Sequence, residues 1–207
     1  NGAGVTVYVV DTGIAPHTEF GTRLAIGRNY AGNLAGDLNY TDCNGHGTHV
    51  AGIIGSNTYG VAERVTLVPV RVLDCTGSGT TASVVAGINW AVLNHLNYYN
   101  GLPAVMNLSL GGAQSTALDA AVKYATDNGI IVTVAAGNSS QDACRFSPAR
   151  APKAITVGAS TRLDAVAPYS NIGSCVDLFA PGSAVTSTWI KDPVTNAERT
   201  LTISGTS

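Results

Sequence analysis

Four short apolar segments, rich in β-branched residues, constrain the fold of this chain more than any other feature. They span residues 5–10, 65–72, 104–108 and 130–135, and Gly, Asp or Asn bounds them. Apolar residues run through each segment without alternating with polar ones, as in strands buried on both faces. The segments therefore predict a parallel sheet with other structure packed on both of its sides.

Helical patterns lie between these predicted strands. Residues 80–96 place Val84, Ile88, Ala91 and His95 at helical spacing, and Gly129 ends a second pattern at 115–128. A third helix is predicted after His46, with small residues that suit close packing. The alternation predicts one α/β domain with right-handed crossovers and functional residues at the carboxyl ends of the strands. Further predicted strands span 153–157 and 176–179, followed by a hairpin of 185–190 and 199–203.

Composition excludes several classes of partner. The formal charge of the 207 residues is −2 and no run of Lys or Arg occurs, so neither nucleic acid nor an anionic membrane surface is expected to bind. No apolar stretch reaches the roughly 18 residues of a membrane span. The four cysteines could form two disulfides or a metal site. Their wide scatter and the lack of a Cys-x-x-Cys pair favour two disulfides and an oxidising compartment.

Three residues fit a serine-hydrolase constellation. Asp11 follows the first predicted strand, His46 lies between glycines at a helix start, and Ser207 follows Gly205-Thr206. Taken alone, Asp11 is more typical of a turn and the Gly-Thr-Ser tripeptide means little. The chain order Asp, His, Ser is one of the known orders of a catalytic triad.

Two other interpretations have weaker support. His46 and His49 are spaced as in some zinc sites, but the Glu of His-Glu-x-x-His is absent. The run Gly77-x-Gly79-x-x-Ala82 follows a strand and opens a helix, as in a dinucleotide-binding loop. That motif needs an acidic residue about 20 positions later, and no Asp or Glu occurs between Cys75 and Leu118.

Four sequence blocks resemble the signature blocks of the subtilisin family. They are Val9-Val10-Asp11-Thr12-Gly13-Ile14, Gly45-His46-Gly47-Thr48-His49-Val50-Ala51-Gly52, Ala135-Ala136-Gly137-Asn138 and Ser204-Gly205-Thr206-Ser207. The chain is most similar to the proteinase K branch and its bacterial aqualysin-like members. The resemblance implies a three-layer α/β fold with a mainly parallel sheet and helices on both faces.

The resemblance also implies a secreted, monomeric serine endopeptidase that acts through an acyl-enzyme. In that frame Ser207 is the nucleophile, His46 the general base and acid, and Asp11 the carboxylate that orients His46. Asn138 matches the amide that stabilises the oxyanion. His49 is similar to a structural residue of the family.

Two glycine-rich segments resemble the edges between which the family binds a polypeptide as an added strand. The residues implied are Gly77, Ser78 and Gly79 on one edge and Ser109, Leu110, Gly111 and Gly112 on the other. Gly111, Gly112, Ala135, Ala136 and Gly137 would form the pocket for the side chain before the scissile bond. Their small size predicts broad specificity that favours apolar or aromatic side chains.

Disulfides and a structural calcium ion are also implied by the resemblance. The expected pairs are Cys43 with Cys75 and Cys144 with Cys175. Asp177 matches a calcium-binding position whose other protein ligands are backbone carbonyls, here expected from Pro152 and Ala154, and oxygen ligands suit this cation. Asp37 and Asp42 could form a second weak site, although a solvated acidic loop is the better interpretation.

The chain departs from the family at both ends. Family domains begin earlier and continue past the nucleophile with Met-Ala and a long helix. We therefore expect an incomplete peptidase domain over 1–207, with apolar surface exposed where that helix would pack, which could be inactive as a piece. The alternative function is a pseudo-protease that binds peptides without turnover.

Overall fold

A computed structural model describes residues 1–99 and 101–207 of the chain. Its largest sheet has seven strands, in the order β2-β3-β1-β4-β6-β8-β9, and every neighbouring pair is parallel. These strands are β1 (Thr6–Asp11), β2 (Arg28–Asn29), β3 (Thr66–Arg71), β4 (Ala104–Leu108), β6 (Ile130–Ala135), β8 (Ile155–Ser160) and β9 (Leu178–Pro181).

Two small antiparallel pairs and three helices complete the fold. The pairs are β5 (Gly112–Ala113) with β7 (Phe146–Ser147), and the hairpin β10 (Val185–Trp189) with β11 (Arg199–Ile203). The helices are α1 (His46–Gly55), α2 (Thr81–Tyr98) and α3 (Thr116–Asp127). Short 3-10 turns span Thr18–Phe20 and Ala143–Arg145. In the part of the chain described, no helix combines the length and apolar character needed to cross a membrane.

Helices cover both faces of the sheet, which confirms the predicted three-layer α/β fold. Tyr8 and Val10 of β1 pack in the same cluster as Ile88 of α2 and Val122 of α3. The intervening strand residue Val9 packs in a second cluster, on the side of α1. Alternate strand residues thus bury on opposite faces, which explains why the strands read as continuous apolar runs.

Polar side chains cap the N-termini of the two long helices, α2 and α3. The hydroxyl of Thr80 accepts a hydrogen bond from Ser83 N, and Ser83 reciprocates at the Thr80 backbone N–H. Ser115 caps α3 by accepting from Leu118 N. Capping of this kind satisfies donors that the first helical turn leaves unpaired. Both helices therefore begin one residue after the predicted positions.

On the side of α1, the helix covers only part of the sheet. A groove of about 590 Å³ lies beside it, lined largely by apolar side chains of several strands and loops, among them Val105, Val157 and Ala180. The groove extends to Gly205, Thr206 and Ser207 at one end.

His49 of α1 joins the helix to the β10–β11 hairpin. The buried imidazole donates from Nε2 toward Val185 O (3.2 Å) and Leu201 O (3.0 Å), one carbonyl on each strand. Its ring meets Trp189 edge to face, with 6.2 Å between the ring centroids. One helical side chain thereby holds both strands of the hairpin.

Two hydroxyls of β10 and a glycine of α1 bring the same elements into close contact. Ser187 Oγ donates to His49 O and Thr188 Oγ1 donates to Thr48 O, each at 2.8 Å. A Cβ added to Gly52 would lie 2.1 Å from Ser187 Oγ and 2.3 Å from Thr188 Oγ1. Only glycine permits this approach of helix and hairpin.

Candidate active site

Asp11 lies at the carboxyl end of β1, where the order of the sheet reverses. The strand β1 pairs with β3 on one side and with β4 on the other. The chain therefore adds its next strands on one side of β1 and its later strands on the other side. Such a reversal is where open α/β sheets form their binding sites. The Asp11 side chain is fully buried, and its Oδ1 accepts from Thr12 N at 2.7 Å.

His46 is the first residue of α1 and contacts Asp11 directly. Its Nδ1 lies 2.8 Å from Asp11 Oδ1 and 3.0 Å from Oδ2. The carboxylate therefore fixes the tautomer with a proton on Nδ1, which leaves Nε2 as a base. The His46 side chain is 27% exposed and borders the cleft described below.

The electrostatic environment favours the charged form of His46. Burial of the imidazole lowers its pKa, but the hydrogen bond and charge of Asp11, with a further contribution from the charge of Asp42, outweigh burial. The net result is a His46 pKa above its ordinary value. The site thus stabilises an imidazolium next to the carboxylate.

A disulfide ties the loop before His46 to the next segment of the site. Cys43 and Cys75 are bonded, and Asn44 Nδ2 donates to Cys75 O at 3.0 Å. The Asn44 side chain also accepts from His46 N at 3.1 Å. Arg71 Nη2 lies 3.1 Å from the sulfur of Cys43. The loop that carries His46 is therefore fixed to the segment that begins at Cys75.

The two predicted substrate edges face each other across one cleft. Its volume is about 780 Å³. Both edges line it in full: Gly77, Ser78 and Gly79 on one side and Ser109, Leu110, Gly111 and Gly112 on the other, with His46 also at the cleft. A cleft bordered by two glycine-rich segments can admit a polypeptide strand.

A second pocket of about 300 Å³ adjoins the cleft and shares the Ser109–Gly112 segment with it. Its wall includes Ala135, Ala136 and Gly137, as expected. Phe146 and Ala149 also line it, and their positions were not predicted from the sequence. The small wall residues leave space for a side chain of substantial size.

Ser207 and Asn138 both border this second pocket. Asn138 Oδ1 accepts from Thr206 N (2.9 Å) and Thr206 Oγ1 (3.0 Å), while Thr206 Oγ1 accepts from Gly137 N at 3.0 Å. The amide oxygen is thereby occupied, and the Nδ2 donor remains for a ligand in the pocket. Thr206 was not predicted from the sequence as part of the site.

Ser207 is exposed, and its hydroxyl lies 3.5 Å from Ser109 O. Within the described residues it forms no hydrogen bond with His46. The structure therefore brings Asp11 and His46 into contact and places Ser207 with Asn138. It does not join these two pairs by a hydrogen bond.

The remaining cysteines are bonded as Cys144–Cys175, so the two pairings implied by the resemblance are the ones formed. This bond lies in a different segment from the cleft edges. It closes a loop of 31 positions, against 32 for Cys43–Cys75. The two disulfides thus differ mainly in what they connect.

Asp177, the predicted calcium ligand, lies near the start of β8. Its exposed carboxylate accepts a hydrogen bond from Thr156 N through Oδ2 at 2.7 Å. Thr156 is close in sequence to Pro152 and Ala154. No group of three or more His, Cys, Asp or Glu residues clusters as metal ligands in 1–99 and 101–207. A site here would depend on one carboxylate and backbone oxygens, which is compatible with calcium.

Asp42 differs from the expectation of a solvated loop or a weak cation site. It is buried, and both of its carboxylate oxygens accept hydrogen bonds from groups at the start of α1. Asp37 is exposed and accepts instead from Asn29 Nδ2, Asn33 Nδ2 and the backbone N–H of Asn39. An Asp a few residues before a glycine-rich helix start was the available signal.

Comparison with known proteins gives one consistent result. The sequence model described as the subtilase family matches residues 2–207. An extracellular serine proteinase of Thermus sp. (strain Rt41A) is 56% identical over 207 residues, which are all of this chain and 48% of that protein. The alkaline serine exoprotease A of Vibrio alginolyticus is 52% identical over 190 residues, which are 91% of this chain and 34% of that protein.

A solved structure agrees with the sequence relatives. The crystal structure of a cold-adapted subtilisin-like serine proteinase superposes with a TM-score of 0.88 at 50% identity, covering all of this chain and 71% of its own. The chain spans between a third and a half of the length of the two curated relatives above.

Proposed function

Because the chain belongs to the subtilase family, we propose that it carries the catalytic residues of a secreted serine endopeptidase. The observation that carries the proposal is the Asp11–His46 pair, at 2.8 Å, beside a cleft with two glycine-rich edges. Asp11, His46 and Ser207 are the proposed triad, and Asn138 the proposed oxyanion donor. One relative is named as a serine proteinase and another as a serine exoprotease, and both names support a catalytic serine.

Acylation begins with Ser207. Its hydroxyl turns from Ser109 O toward His46, Nε2 takes the proton, and Oγ bonds to the scissile carbonyl carbon. Asp11 holds the imidazolium in place and stabilises its charge. The raised pKa of His46 is consistent with that role. His46 then gives the proton to the leaving amine as the C–N bond breaks, and an acyl-enzyme remains.

The carbonyl oxygen becomes an oxyanion in the tetrahedral intermediate. Asn138 Nδ2 and the backbone N–H of Ser207 are the proposed donors to it. The hydrogen bonds from Thr206 to Asn138 Oδ1 orient the amide, so its NH₂ group is available. Water then attacks the acyl carbon as His46 takes its proton, the bond to Ser207 Oγ breaks, and His46 returns the proton to Oγ as the acid product leaves.

Substrate binding is proposed along the cleft as an antiparallel strand between the two glycine-rich edges. The side chain before the scissile bond would enter the second pocket, whose Gly and Ala walls admit apolar or aromatic groups. Main-chain hydrogen bonds would supply most of the binding, which favours broad specificity.

The alternative function is a peptide-binding protein without turnover. The lack of a hydrogen bond between Ser207 and His46 in the described residues favours this alternative. It predicts that peptides saturate the cleft of the natural mature protein while no peptide bond is cut.

We also propose a structural calcium ion at Asp177, with backbone oxygens of Pro152 and Ala154. The exposed carboxylate and its position near β8 support it. Calcium would link two segments of chain without a part in the chemistry. We expect added calcium to raise the Tm in calorimetry and Asp177→Asn to abolish the increase. An equal increase in that variant would place the ion elsewhere.

Secretion and a monomeric state complete the proposal. The two disulfides suit an oxidising compartment, and one relative is named as extracellular. Polypeptides are the proposed partners.

The decisive experiment uses the natural mature protein that carries these residues. A sulfonyl fluoride should label Ser207, located by mass spectrometry, and Ser207→Ala should abolish casein cleavage. Ser174→Ala, at an exposed serine beside the second disulfide, is the matched control and should keep full activity. Cleavage by the Ser207→Ala variant would refute the proposed nucleophile.

A further inference from the structure

Asp42 is a buried carboxylate outside the Asp11–His46 pair. Asp42 is only 5% exposed, and both of its carboxylate oxygens accept hydrogen bonds. Oδ1 accepts from Asn44 N and Gly45 N, each at 2.9 Å. Oδ2 accepts from Thr48 N at 3.0 Å and from Thr48 Oγ1 at 2.7 Å.

These hydrogen bonds replace an ordinary helix cap. The N-cap residue of α1 is Gly45, which has no side chain to accept from the first turn. Asp42, three residues earlier, supplies the acceptor to that turn and the loop before it. Because His46 is the first residue of α1, whatever fixes this turn also fixes the direction of its imidazole.

The charge of Asp42 is not paired with a cation in the described part of the chain. The salt bridges found there do not include it. The guanidinium of Arg71 approaches the same loop, but it donates to Asn39 O and Thr41 O. The positive end of the helix dipole partly balances the negative charge of the Asp42 carboxylate. The electrostatic effect of that carboxylate extends to His46.

We infer that Asp42 is a positioning residue for His46, which orders the first turn of α1 and adds a second negative charge in support of the imidazolium. The inference rests on the proposed function, since it gives Asp42 a part in the general-base step. Asp11 contacts the imidazole itself, whereas Asp42 acts through the helix start and through space. The raised pKa of His46, to which the charge of Asp42 contributes after burial and Asp11, agrees with this division.

Other charged groups near His46 act differently. Asp11, at the end of β1, is still present in every Asp42 variant. Burial lowers the pKa of His49, one turn further along α1, despite its hydrogen bonds to the hairpin carbonyls, and so favours its uncharged form. Arg71 from β3 carries a fixed charge. A change in His46 titration on substitution of Asp42 alone therefore reports the Asp42 carboxylate.

The first measurement is an NMR titration of the His46 ring in this chain, which needs no activity. Asp42→Asn removes the charge but keeps an acceptor, and it should lower the pKa of His46. Thr48→Val removes the hydroxyl that donates to Asp42 and accepts from Ala15 N, but it leaves the carboxylate, so it should loosen the helix start without that shift. An unchanged pKa in Asp42→Asn would overturn the electrostatic part. If that variant does not fold, Asp42→Ser, a neutral cap, serves in its place.

The second measurement is the pH profile of peptide cleavage by the natural mature protein. Asp42→Asn should move the acidic limb of kcat/KM to lower pH and reduce kcat by about 10- to 100-fold with little change in KM, as small misplacements of a catalytic group do. Asp42→Glu should recover part of the limb position. Unchanged kcat would overturn the positioning role. Absence of cleavage by the unsubstituted protein would refute the proposed function alone, because the NMR result stands separately.

Discussion

The two halves of the proposed triad are held in different ways. Asp11 and His46 lie at the end of a central strand and the start of a helix, and they contact each other at 2.8 Å. Ser207 is exposed, and its hydroxyl has one long contact, 3.5 Å from Ser109 O. His46, the proposed general base, is thus fixed by the sheet, the helix and a disulfide. The orientation of the nucleophile depends on neighbouring loop contacts.

This contrast indicates where substitutions act. Changes beside His46 should alter its protonation and tautomer, whereas changes beside Ser207 should alter stabilisation of the oxyanion. The four predictions below test that division, from the largest expected effect to the smallest. All rate measurements refer to the natural mature protein.

Asp11→Asn should have the largest effect. The amide cannot stabilise the imidazolium and favours the wrong tautomer, so kcat should fall by about 10⁴-fold, as in other proteases with such a triad. The pKa of His46 should also fall, because its hydrogen-bonded charge partner is lost. Steady-state kinetics and NMR titration provide the two readouts. Full activity in this variant would show that His46 works without Asp11.

Asn138→Leu should reduce kcat by about 10²- to 10³-fold, the loss measured for such a donor in a subtilisin. KM should change little, since the donor acts mainly in the transition state. The pKa of His46 should stay the same, which separates this half of the site from the other. Thr206→Val, which removes one hydrogen bond to Asn138 Oδ1, should give a smaller loss, and Thr206→Ser should restore activity.

The two disulfides form a matched pair for the third prediction. Replacing either pair by alanines should lower the free energy of unfolding by about 3–4 kcal/mol on the chain-entropy model, since the loops are almost equal. Only loss of Cys43–Cys75 should also raise KM, because it releases the cleft edge from the loop of His46. Calorimetry and kinetics on both variants decide the matter. Equal effects on KM would contradict the tether.

His46 and His49, both in α1, should make the free energy of unfolding depend on pH in opposite directions. The pKa of His46 is raised, so its stabilisation is complete below the unfolded value of about 6.5 and is lost as pH rises through the folded pKa. The pKa of His49 is lowered by burial, so stability falls as pH drops below about 6.5. The free energy of unfolding should be measured with denaturant between pH 5 and 8. His46→Gln should remove the loss of stability at higher pH, and His49→Gln should remove the loss at lower pH. Parallel slopes in both variants would contradict this assignment.

Much of the architecture could be predicted from the sequence because its signals are local. Continuous apolar runs identify buried parallel strands, and the cap at Thr80 and the turn at Gly129 bound helices within a residue or two. The contact between Asp11 and His46 was implied by the resemblance of four sequence blocks to the subtilisin family, and the structure contains it. These features depend on periodicity and on residue type.

The supporting contacts of the site could not be predicted in the same way. Asp42 and Asp37 look alike in the sequence, yet one is buried at a helix start and the other is exposed. Arg71 appears as part of a strand, but its guanidinium reaches the loop of Cys43. Such contacts arise only when distant loops meet, and no local pattern encodes them.

The glycines of α1 have a consequence for how the general base is assembled. A Cβ at Gly47 would lie 2.2 Å from Gly13 O, and one at Gly52 would meet the hairpin hydroxyls, so alanine is excluded at both. Each glycine weakens a ten-residue helix by about 1 kcal/mol relative to alanine. A peptide of residues 42–56 alone should therefore be unstructured in circular dichroism. The orientation of His46 therefore depends on the contacts that α1 makes with the sheet and the hairpin, and not on the helix alone.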